Sequence, residues 1–128
     1  MGWLLTRAVA CFNGGNFILG GLTLDKPEYV NFGLDLVHSC RNTYTSTFTG
    51  IGPEVFRWQD SRLPEDASNN PPPPANQTNF FRENGFWLDS PYYVLRPEVI
   101  ESYYYAYRAT GDPKYQVRFV NGIVPCGY

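Results

Sequence analysis

The stretch Leu95–Ser102 reads LRPEVIES and places an arginine, a proline and two glutamates within six residues. Proline is favoured at the first position of a helix, so Pro97 predicts a helix that begins there. Glu98 and Glu101 then share one face of the first turn, where backbone N–H groups and the helix dipole favour negative charge. Arg96 stands just before the helix and can make a forked contact with a carboxylate or with a pair of sugar hydroxyls. Together with the tyrosines that follow, the octet suggests a carbohydrate site; the alternative is an ordinary surface helix with an acidic first turn.

The helix that starts at Pro97 is expected to continue to about Ala109. Gly111, with Pro113 just beyond it, is typical of a helix C-terminus. The segment Asp112–Tyr115 predicts the start of a further helix. Apolar and aromatic residues recur at helical spacing from residue 99 onwards, and we interpret the tyrosines among them as packing residues rather than sugar platforms: Val99, Tyr103, Tyr104 and Tyr107.

A longer helix is predicted from Pro27 to about Thr47. Asp25 is its expected N-cap, and Glu28 three residues later completes a start that resembles a capping box. Its apolar stripe has helical spacing: Tyr29, Phe32, Leu36 and Cys40.

The chain has three cysteines, Cys11, Cys40 and Cys126, an odd number that leaves one thiol without a partner in the chain. Cys40 faces inward on the predicted helix, and a bridge to Cys11 would tie the glycine-rich segment 11–21 to that helix. Two buried free thiols are the alternative, which the spacing leaves open. The glycine-rich segment lacks the Gly-Lys-Ser/Thr ending of a phosphate loop, and we expect its glycines to let backbone pass close to backbone.

The segment Gly50–Trp58 reads as a turn into a short strand, in which Glu54 interrupts an apolar run. A carboxylate at such a position is either exposed or retained for a purpose. Phe86–Leu88 and Tyr92–Leu95 are further strand candidates, and a hairpin is predicted across Ser90-Pro91.

Residues 61–79 contain four consecutive prolines, Pro71–Pro74, and are predicted to form a polyproline-like, solvent-exposed loop. Asn76 opens the triplet Asn-Gln-Thr, which is a sequon for N-linked glycosylation. The sequon and the cysteines favour a secretory compartment.

The composition excludes several classes of protein. The chain of 128 residues is long enough for one ordinary domain, and its net charge of −2 shows no basic footprint for nucleic acid. The aromatic share of 17% suits a sugar-binding or large packed surface better than a disordered tail. No run of 18 apolar residues is present, so no membrane span is expected, and Met1–Arg7 does not have the form of a signal peptide.

Several of these segments together resemble the class I α-1,2-mannosidases, glycoside hydrolase family 47, over about residues 8–116. The motifs that carry the resemblance are, in chain order, CFNGG (11–15), DLV (35–37) leading to Cys40, TY (43–44), TGIGPE (49–54), YVLRPEVIES (93–102), YY (104–105) and RATGDPKY (108–115). The family fold is a toroid of seven helix pairs plugged by a β-hairpin. The resemblance therefore implies a mainly α chain, part of an (α/α)7 toroid, with two or three helices and a short hairpin. Residues 117–128 diverge from the family pattern and are expected to be a separate tail.

The resemblance also implies roles for individual residues. Glu98 falls on the carboxylate proposed as the general base of the family, and Glu54 falls on a carboxylate regarded as an acid. Arg96 and Pro97 fall on the sugar-contacting arginine and its neighbour. Glu101 falls on a glutamate near the calcium ion and its waters.

The family's reaction is an inverting, calcium-dependent hydrolysis of α-1,2-linked mannose in high-mannose N-glycans, in the endoplasmic reticulum or Golgi or outside the cell. It needs a protonated carboxyl at the leaving oxygen and an ionised carboxylate that holds water, about 6.5–9.5 Å apart. Glu98 in a helix first turn suits the base, whereas Glu54 on an apolar strand is expected to have a raised pKa that suits the acid. The resemblance further implies a Cys11–Cys40 disulfide and a monomer that binds a high-mannose oligosaccharide.

The chain departs from the family pattern in several places. Ala8 stands where a substrate-contacting histidine is usual, and Asn13 stands where an aspartate is usual. The N-terminal half of the catalytic domain has no counterpart in the chain, nor has the Thr-Glu segment whose threonine binds calcium directly. The loss of pattern after Gln116 suggests a truncated product or a read-through intron, and the chain alone is expected to be poorly stable and inactive. A mannoside-binding remnant without catalysis and an aromatic-rich structural domain are the alternatives.

Overall fold

The computed structural model describes residues 5–66 and 68–116, which form a mainly helical structure with a small sheet. The elements are, in chain order, β1 (Leu5–Arg7), α1 (Asn13–Thr23), α2 (Pro27–Thr45), β2 (Val55–Arg57), α3 (Thr78–Asn84), β3 (Trp87–Ser90) and α4 (Glu98–Thr110). Short 3-10 turns at Ala8–Phe12 and Ala75–Gln77 precede α1 and α3. Residues 113–116 are helical, as expected, whereas the predicted tail 117–128 and its Cys126 lie outside the described residues.

The glycine-rich segment forms most of α1, a helix that glycine's low helix propensity hides from sequence reasoning. Packing against α2 compensates for that propensity. A Cβ atom added to Gly33 of α2 would lie 2.8 Å from the carbonyl oxygen of Gly14 and 2.8 Å from the backbone nitrogen of Ile18. The expected close passage of backbone along backbone is therefore confirmed, and it takes place between two helices.

Helix α2 matches its predicted start at Pro27 but not its predicted cap. Asp25 adopts a left-handed conformation with φ +52° and does not cap the helix; Lys26 is the N-cap residue and makes no side-chain cap bond. The reason is the tight connection from α1, in which the Lys26 amide donates to the Gly21 carbonyl at 2.8 Å. Glu28 does lie in the first turn, where the helix dipole favours its charge.

A disulfide joins Cys11 to Cys40 and fastens the 3-10 turn before α1 to helix α2. This confirms the bridge and excludes the alternative of two free thiols. The buried cluster around it draws on α1, α2, α4 and the helical residues after α4: Cys11, Ile18, Val37, Tyr44, Val99, Tyr103, Ala106 and Tyr115. Ser102 of α4 adds a polar link at 1% exposure, since its hydroxyl donates to the Cys11 carbonyl at 2.7 Å and accepts from the Gly15 amide at 3.0 Å.

The three strands form an antiparallel sheet in the order β1-β2-β3. The hairpin predicted across Ser90-Pro91 is wrong, because β3 pairs with β2 and residues 92–95 form no strand. Two-residue hairpin loops need positive φ angles at their centre, which the proline ring of Pro91 does not allow. The Tyr92 carbonyl accepts a hydrogen bond at 2.9 Å from the amide of Glu54, the residue just before β2.

The proline-rich segment is shorter and better ordered than predicted. It ends at Pro74, where the second 3-10 turn and α3 take over. Asn70 within it is 2% exposed, and its side-chain amide bonds to the carbonyl oxygens of Asp60 and Leu63. The loop is therefore built around a buried amide, whose hydrogen bonds satisfy carbonyl oxygens of the loop.

Apolar side chains remain exposed on α1, on α2 and in the turn between them, among them Leu22, Leu24, Tyr29 and Phe32. A hollow of about 700 Å³ lies beside them, with Phe17, Phe32, Phe56, Trp58 and Phe86 in its wall. Within the described ranges, no helix combines the length and the apolar character that crossing a bilayer requires.

Candidate active site

The Leu95–Ser102 octet forms the entry and first turns of α4, one residue later than predicted. Pro97 is the N-cap residue rather than the first helical residue, and Glu98 and Glu101 both lie in the first turn. The helix has no side-chain cap, and its first backbone hydrogen bond runs from the Glu101 amide to the Pro97 carbonyl at 2.9 Å. Leu95, the first residue of the octet, has φ +56°, a left-handed conformation that costs on the order of 1–3 kcal/mol for a residue other than glycine.

The carboxylate partner of Arg96 is Glu54, 42 residues away in sequence. The guanidinium grips the carboxylate with two parallel bonds, from Nε to Oε2 at 2.6 Å and from Nη2 to Oε1 at 2.7 Å. The Glu54 side chain is 5% exposed and that of Arg96 is 29% exposed. Two candidate residues drawn from separate motifs are thus brought together in one buried, bidentate ion pair.

The backbone of Glu54 is held from both sides. Its amide donates to the Tyr92 carbonyl at 2.9 Å, and its carbonyl accepts from the Ala8 amide at 2.8 Å. Gly52 lies against the ring of Tyr44, where an added Cβ would be 2.5 Å from a ring carbon. The segment that carries Glu54 is therefore clamped by residues that follow β1 and β3 and by the last turns of α2.

The expected raised pKa of Glu54 is wrong. Arg96 holds the pKa of the Glu54 carboxyl below its ordinary value through the two hydrogen bonds and its positive charge, with a smaller contribution from Arg7, and these effects outweigh burial. The apolar neighbours of Glu54 favour a raised pKa, but its cation lies 42 residues away in sequence and is not evident from the local pattern. Glu54 is consequently ionised at neutral pH.

Two tyrosines next to this pair were not singled out as site residues from the sequence. The rings of Tyr44 and Tyr93 meet edge to face with centroids 6.3 Å apart, and the Tyr93 hydroxyl donates to the Arg96 carbonyl at 3.2 Å. Burial, followed by the neighbouring Tyr93 hydroxyl and the charges of Glu98 and Glu54, raises the pKa of Tyr44 well above its usual range. Tyr44 therefore stays protonated and neutral beside the two carboxylates.

Glu98 differs from Glu54 in its hydrogen bonding. Its Oε2 atom is buried, and within the part of the chain that the structure describes it has no hydrogen-bond partner. Its charge acts on both Arg96 and Tyr44, which places it in the same electrostatic neighbourhood as the ion pair. A buried carboxylate oxygen without a partner is unfavourable unless a water, ion or ligand completes its bonding.

The remaining candidates lie outside this cluster. Glu101 is exposed on the first turn of α4, and Asn76 is exposed in the second 3-10 turn. The packing interpretation of the tyrosines holds for Tyr103, which is 4% exposed and packs on Tyr115 with ring centroids 5.7 Å apart, but not for Tyr104, which is 53% exposed.

The carboxylates do not assemble a metal site by themselves. Across residues 5–66 and 68–116 no group of three or more His, Cys, Asp or Glu side chains is placed to hold a metal ion. Calcium takes 6–8 oxygen ligands, whereas the first turn of α4 supplies two carboxylates, those of Glu98 and Glu101. The described residues therefore do not fit a complete calcium site.

Known proteins share both the sequence and the fold of this chain. The α-1,2-mannosidase from Trichoderma reesei superposes with a TM-score of 0.86 at 45% identity, over 94% of this chain and 25% of that one. The mannosyl-oligosaccharide α-1,2-mannosidase 1B of Emericella nidulans is 48% identical over 113 residues, which cover 88% of this chain and 20% of the relative. A mannosyl-oligosaccharide α-1,2-mannosidase of Coccidioides posadasii is 50% identical over 108 residues, 84% of this chain and 19% of the relative. The chain thus spans about a fifth of the length of the curated relatives it matches.

The sequence profile of glycosyl hydrolase family 47 matches residues 6–121, which include the clamped Glu54, Arg96 and the first turn of α4. The matched range takes in all four helices and most of the three-stranded sheet. Together with the structural match over 94% of its length, this shows that the chain belongs to glycosyl hydrolase family 47.

Proposed function

We propose that the protein carrying this chain is an inverting α-1,2-mannosidase that removes terminal mannose from high-mannose N-linked oligosaccharides. The names of the relatives support this substrate, and the chain covers only about a fifth of their length. The observation that carries the proposal is the buried, unpartnered Glu98 oxygen, two residues after an arginine that is fixed in place. The chain would supply the part of the site that activates water.

Glu98 suits the role of general base. The first turn of α4 favours its negative charge, and its free oxygen can accept a proton from a bound water. In an inverting reaction that water attacks C1 of the mannose while the bond from C1 to the leaving oxygen breaks, and a second group supplies the proton to that oxygen. Arg96, with Pro97 fixing its exit into the helix, donates to sugar hydroxyls, and Glu101 lies at the rim of the same turn.

Calcium dependence is part of the same proposal, and membership of the family is its support. Because the described residues do not fit a complete site, most ligands would come from elsewhere in the polypeptide, with Glu98 and Glu101 contributing through water.

We also infer that the protein is located in the secretory pathway or is secreted, that it is glycosylated at Asn76, and that it acts as a monomer. The disulfide requires an oxidising compartment to form and persist, and the exposed Asn76 is accessible to a glycan. Mass spectrometry before and after removal of N-glycans would test the second point, since an unchanged mass contradicts glycosylation.

A mannoside-binding function without turnover is the second candidate. It is favoured by the ionised state of Glu54, which removes that residue as a proton donor. Binding of α-1,2-mannobiose without release of mannose would support it.

The test is Glu98→Gln in the natural polypeptide that carries this chain, assayed for mannose release from α-1,2-mannobiose. The expected result is release of β-mannose by the unchanged protein, seen by NMR before mutarotation, and a loss of about 10²–10⁴-fold in kcat for the variant. Glu28→Gln is a matched control, because Glu28 also follows a proline in a helix first turn but is exposed. Equal activity of all three proteins would contradict the proposal.

A further inference from the structure

Both oxygens of the Glu54 carboxylate are occupied by hydrogen bonds from Arg96. Each of its two oxygens accepts a hydrogen bond from Arg96, at 2.6 and 2.7 Å, and only 5% of the side chain is exposed. We propose that Glu54 is a positioning residue, whose carboxylate fixes the Arg96 guanidinium for sugar binding, and that another group protonates the leaving oxygen. This inference rests on the proposed mannosidase function.

The ion pair leaves Glu54 without a proton. A general acid must carry a proton before the reaction, whereas a carboxylate in a forked pair with a guanidinium carries none, because arginine does not give up its charge in proteins. The charged and titratable groups around Glu54 favour the same state: Arg96 and Arg7 both lower its pKa. Tyr44 stays neutral, and Glu98 acts on Arg96 and Tyr44. Glu54 therefore has no proton to donate at neutral pH.

The structure also restrains both partners of the ion pair. Backbone hydrogen bonds to Tyr92 and Ala8 hold Glu54 from both sides, so its carboxylate is a fixed point in the structure. Arg96 is held in addition by its own carbonyl, which accepts from the Tyr93 hydroxyl. A long side chain that would otherwise sample many rotamers is thus restrained at both ends, which lowers the entropy lost when it binds a ligand.

The Arg96 guanidinium keeps N–H donors that are available to a ligand. A guanidinium has five N–H donors, and the two bonds to Glu54 leave three. Across the described ranges Arg96 makes no other side-chain hydrogen bond, and its side chain keeps 29% exposure. Three oriented donors two residues before an unpartnered carboxylate oxygen match the paired hydroxyls of a sugar, which both donate and accept.

The test uses the natural polypeptide with the variants Glu54→Gln, Glu54→Asp, Arg96→Ala and the double variant Glu54→Gln/Arg96→Ala. Hydrolysis of α-1,2-mannobiose is measured against pH. The positioning role predicts that Glu54→Gln and Arg96→Ala each lower kcat/KM by about 10–100-fold, mainly through KM, and that the double variant is no worse than either. Glu54→Asp, which keeps the charge, should recover part of the loss, and the alkaline limb of the pH profile should remain. Asp89→Asn, which breaks the exposed pair with Arg57, is the control and should leave kcat/KM unchanged.

The proposal is overturned if Glu54→Gln removes the alkaline limb of the profile, or if the double variant multiplies the two single losses. A second measurement needs neither activity nor a stable variant. Carbon-13 NMR of labelled glutamate carboxyls, assigned in the unchanged protein, should show Glu54 titrating below the ordinary value of about 4.3. A midpoint at or above that value would restore the acid role. Absence of turnover in the unchanged protein would refute the proposed mannosidase, whereas the carboxyl titration would still decide the protonation state of Glu54.

Discussion

Removal of the Arg96 guanidinium should destabilise the protein far more than removal of an arginine from an exposed pair. Arg96→Ala leaves the Glu54 carboxylate, at 5% exposure, without its cation. Breaking a buried ion pair by removing one partner costs roughly 3–5 kcal/mol, and the partial exposure of Arg96 places the expected loss near the lower end, about 3 kcal/mol. Arg57→Ala is the matched control: its pair with Asp89 has a similar distance, 2.7 Å, but the two side chains are 26% and 35% exposed, so the loss should stay below about 1 kcal/mol.

The pH dependence of this difference identifies its cause. The pKa of Glu54 is lowered in the folded protein, so the contribution of the pair is fully present above the unfolded value of about 4.3 and is lost as the pH falls through the folded pKa. In Arg96→Ala, burial without a cation raises the pKa of Glu54. The variant's penalty is therefore largest at neutral pH and is relieved, by up to about 1.4 kcal/mol per pH unit, once Glu54 takes up a proton.

Urea unfolding of the natural polypeptide, followed by tryptophan fluorescence at pH 7 and pH 5, measures both effects. The gap between the unchanged protein and Arg96→Ala should narrow at pH 5, while the gap for Arg57→Ala should not change. A gap for Arg96→Ala that is small, or that is the same at both pH values, would refute the view that Glu54 is a buried charge held by Arg96.

Three further predictions concern the helical part and can be checked by the same unfolding measurement. Cys40→Ser opens the bridge to Cys11 and should lower stability by about 3.5 kcal/mol, and an equal loss on adding a reductant to the unchanged protein would confirm the cause. Gly33→Ala forces a Cβ to within 2.8 Å of backbone and should destabilise by at least about 1–3 kcal/mol, whereas Gly20→Ala, with nothing within 4 Å, should stabilise by about 0.5–1 kcal/mol; the same sign for both would contradict the close approach of the helices. Ser102→Ala removes a hydroxyl that makes two buried hydrogen bonds and should lower stability by about 1–3 kcal/mol, and a loss below about 0.5 kcal/mol would show that the link is unimportant.

The sequence predicts the parts of the structure that depend on neighbours in the chain. The helix from Pro27 and the end of α4 at Gly111 follow from local capping and spacing, and both are confirmed. Helix α1 was missed because its stability comes from packing against α2 rather than from its glycine-rich composition. The predicted cap at Asp25 is wrong because the connection between the two helices determines the backbone conformation of that residue.

The candidate site shows the same division. Arg96 and Glu98 lie two residues apart in one motif, so their proximity is visible in the sequence, and the bridge between the first two cysteines follows from the resemblance to the family. The pairing of Glu54 with Arg96 spans 42 residues and depends on the sheet and on the turn at Leu95, neither of which local pattern reveals. The sequence therefore predicts the wrong direction for the pKa of Glu54, because its apolar neighbours are visible in the sequence and its pairing with Arg96 is not.

The links around Ser102 have a mechanical consequence, since they form a closed ring. The ring runs from Arg96 through the ion pair to Glu54, through a backbone hydrogen bond to Ala8, along the chain to Cys11, across a hydrogen bond to Ser102, and back along α4 to Arg96. In a closed ring no member moves without straining the others. Loss of the hydrogen bond between Ser102 and Cys11 is therefore expected to shift the position of the Arg96 guanidinium. A serine six residues beyond Arg96, with no part in sugar contact, thereby helps to set how precisely the arginine is aimed.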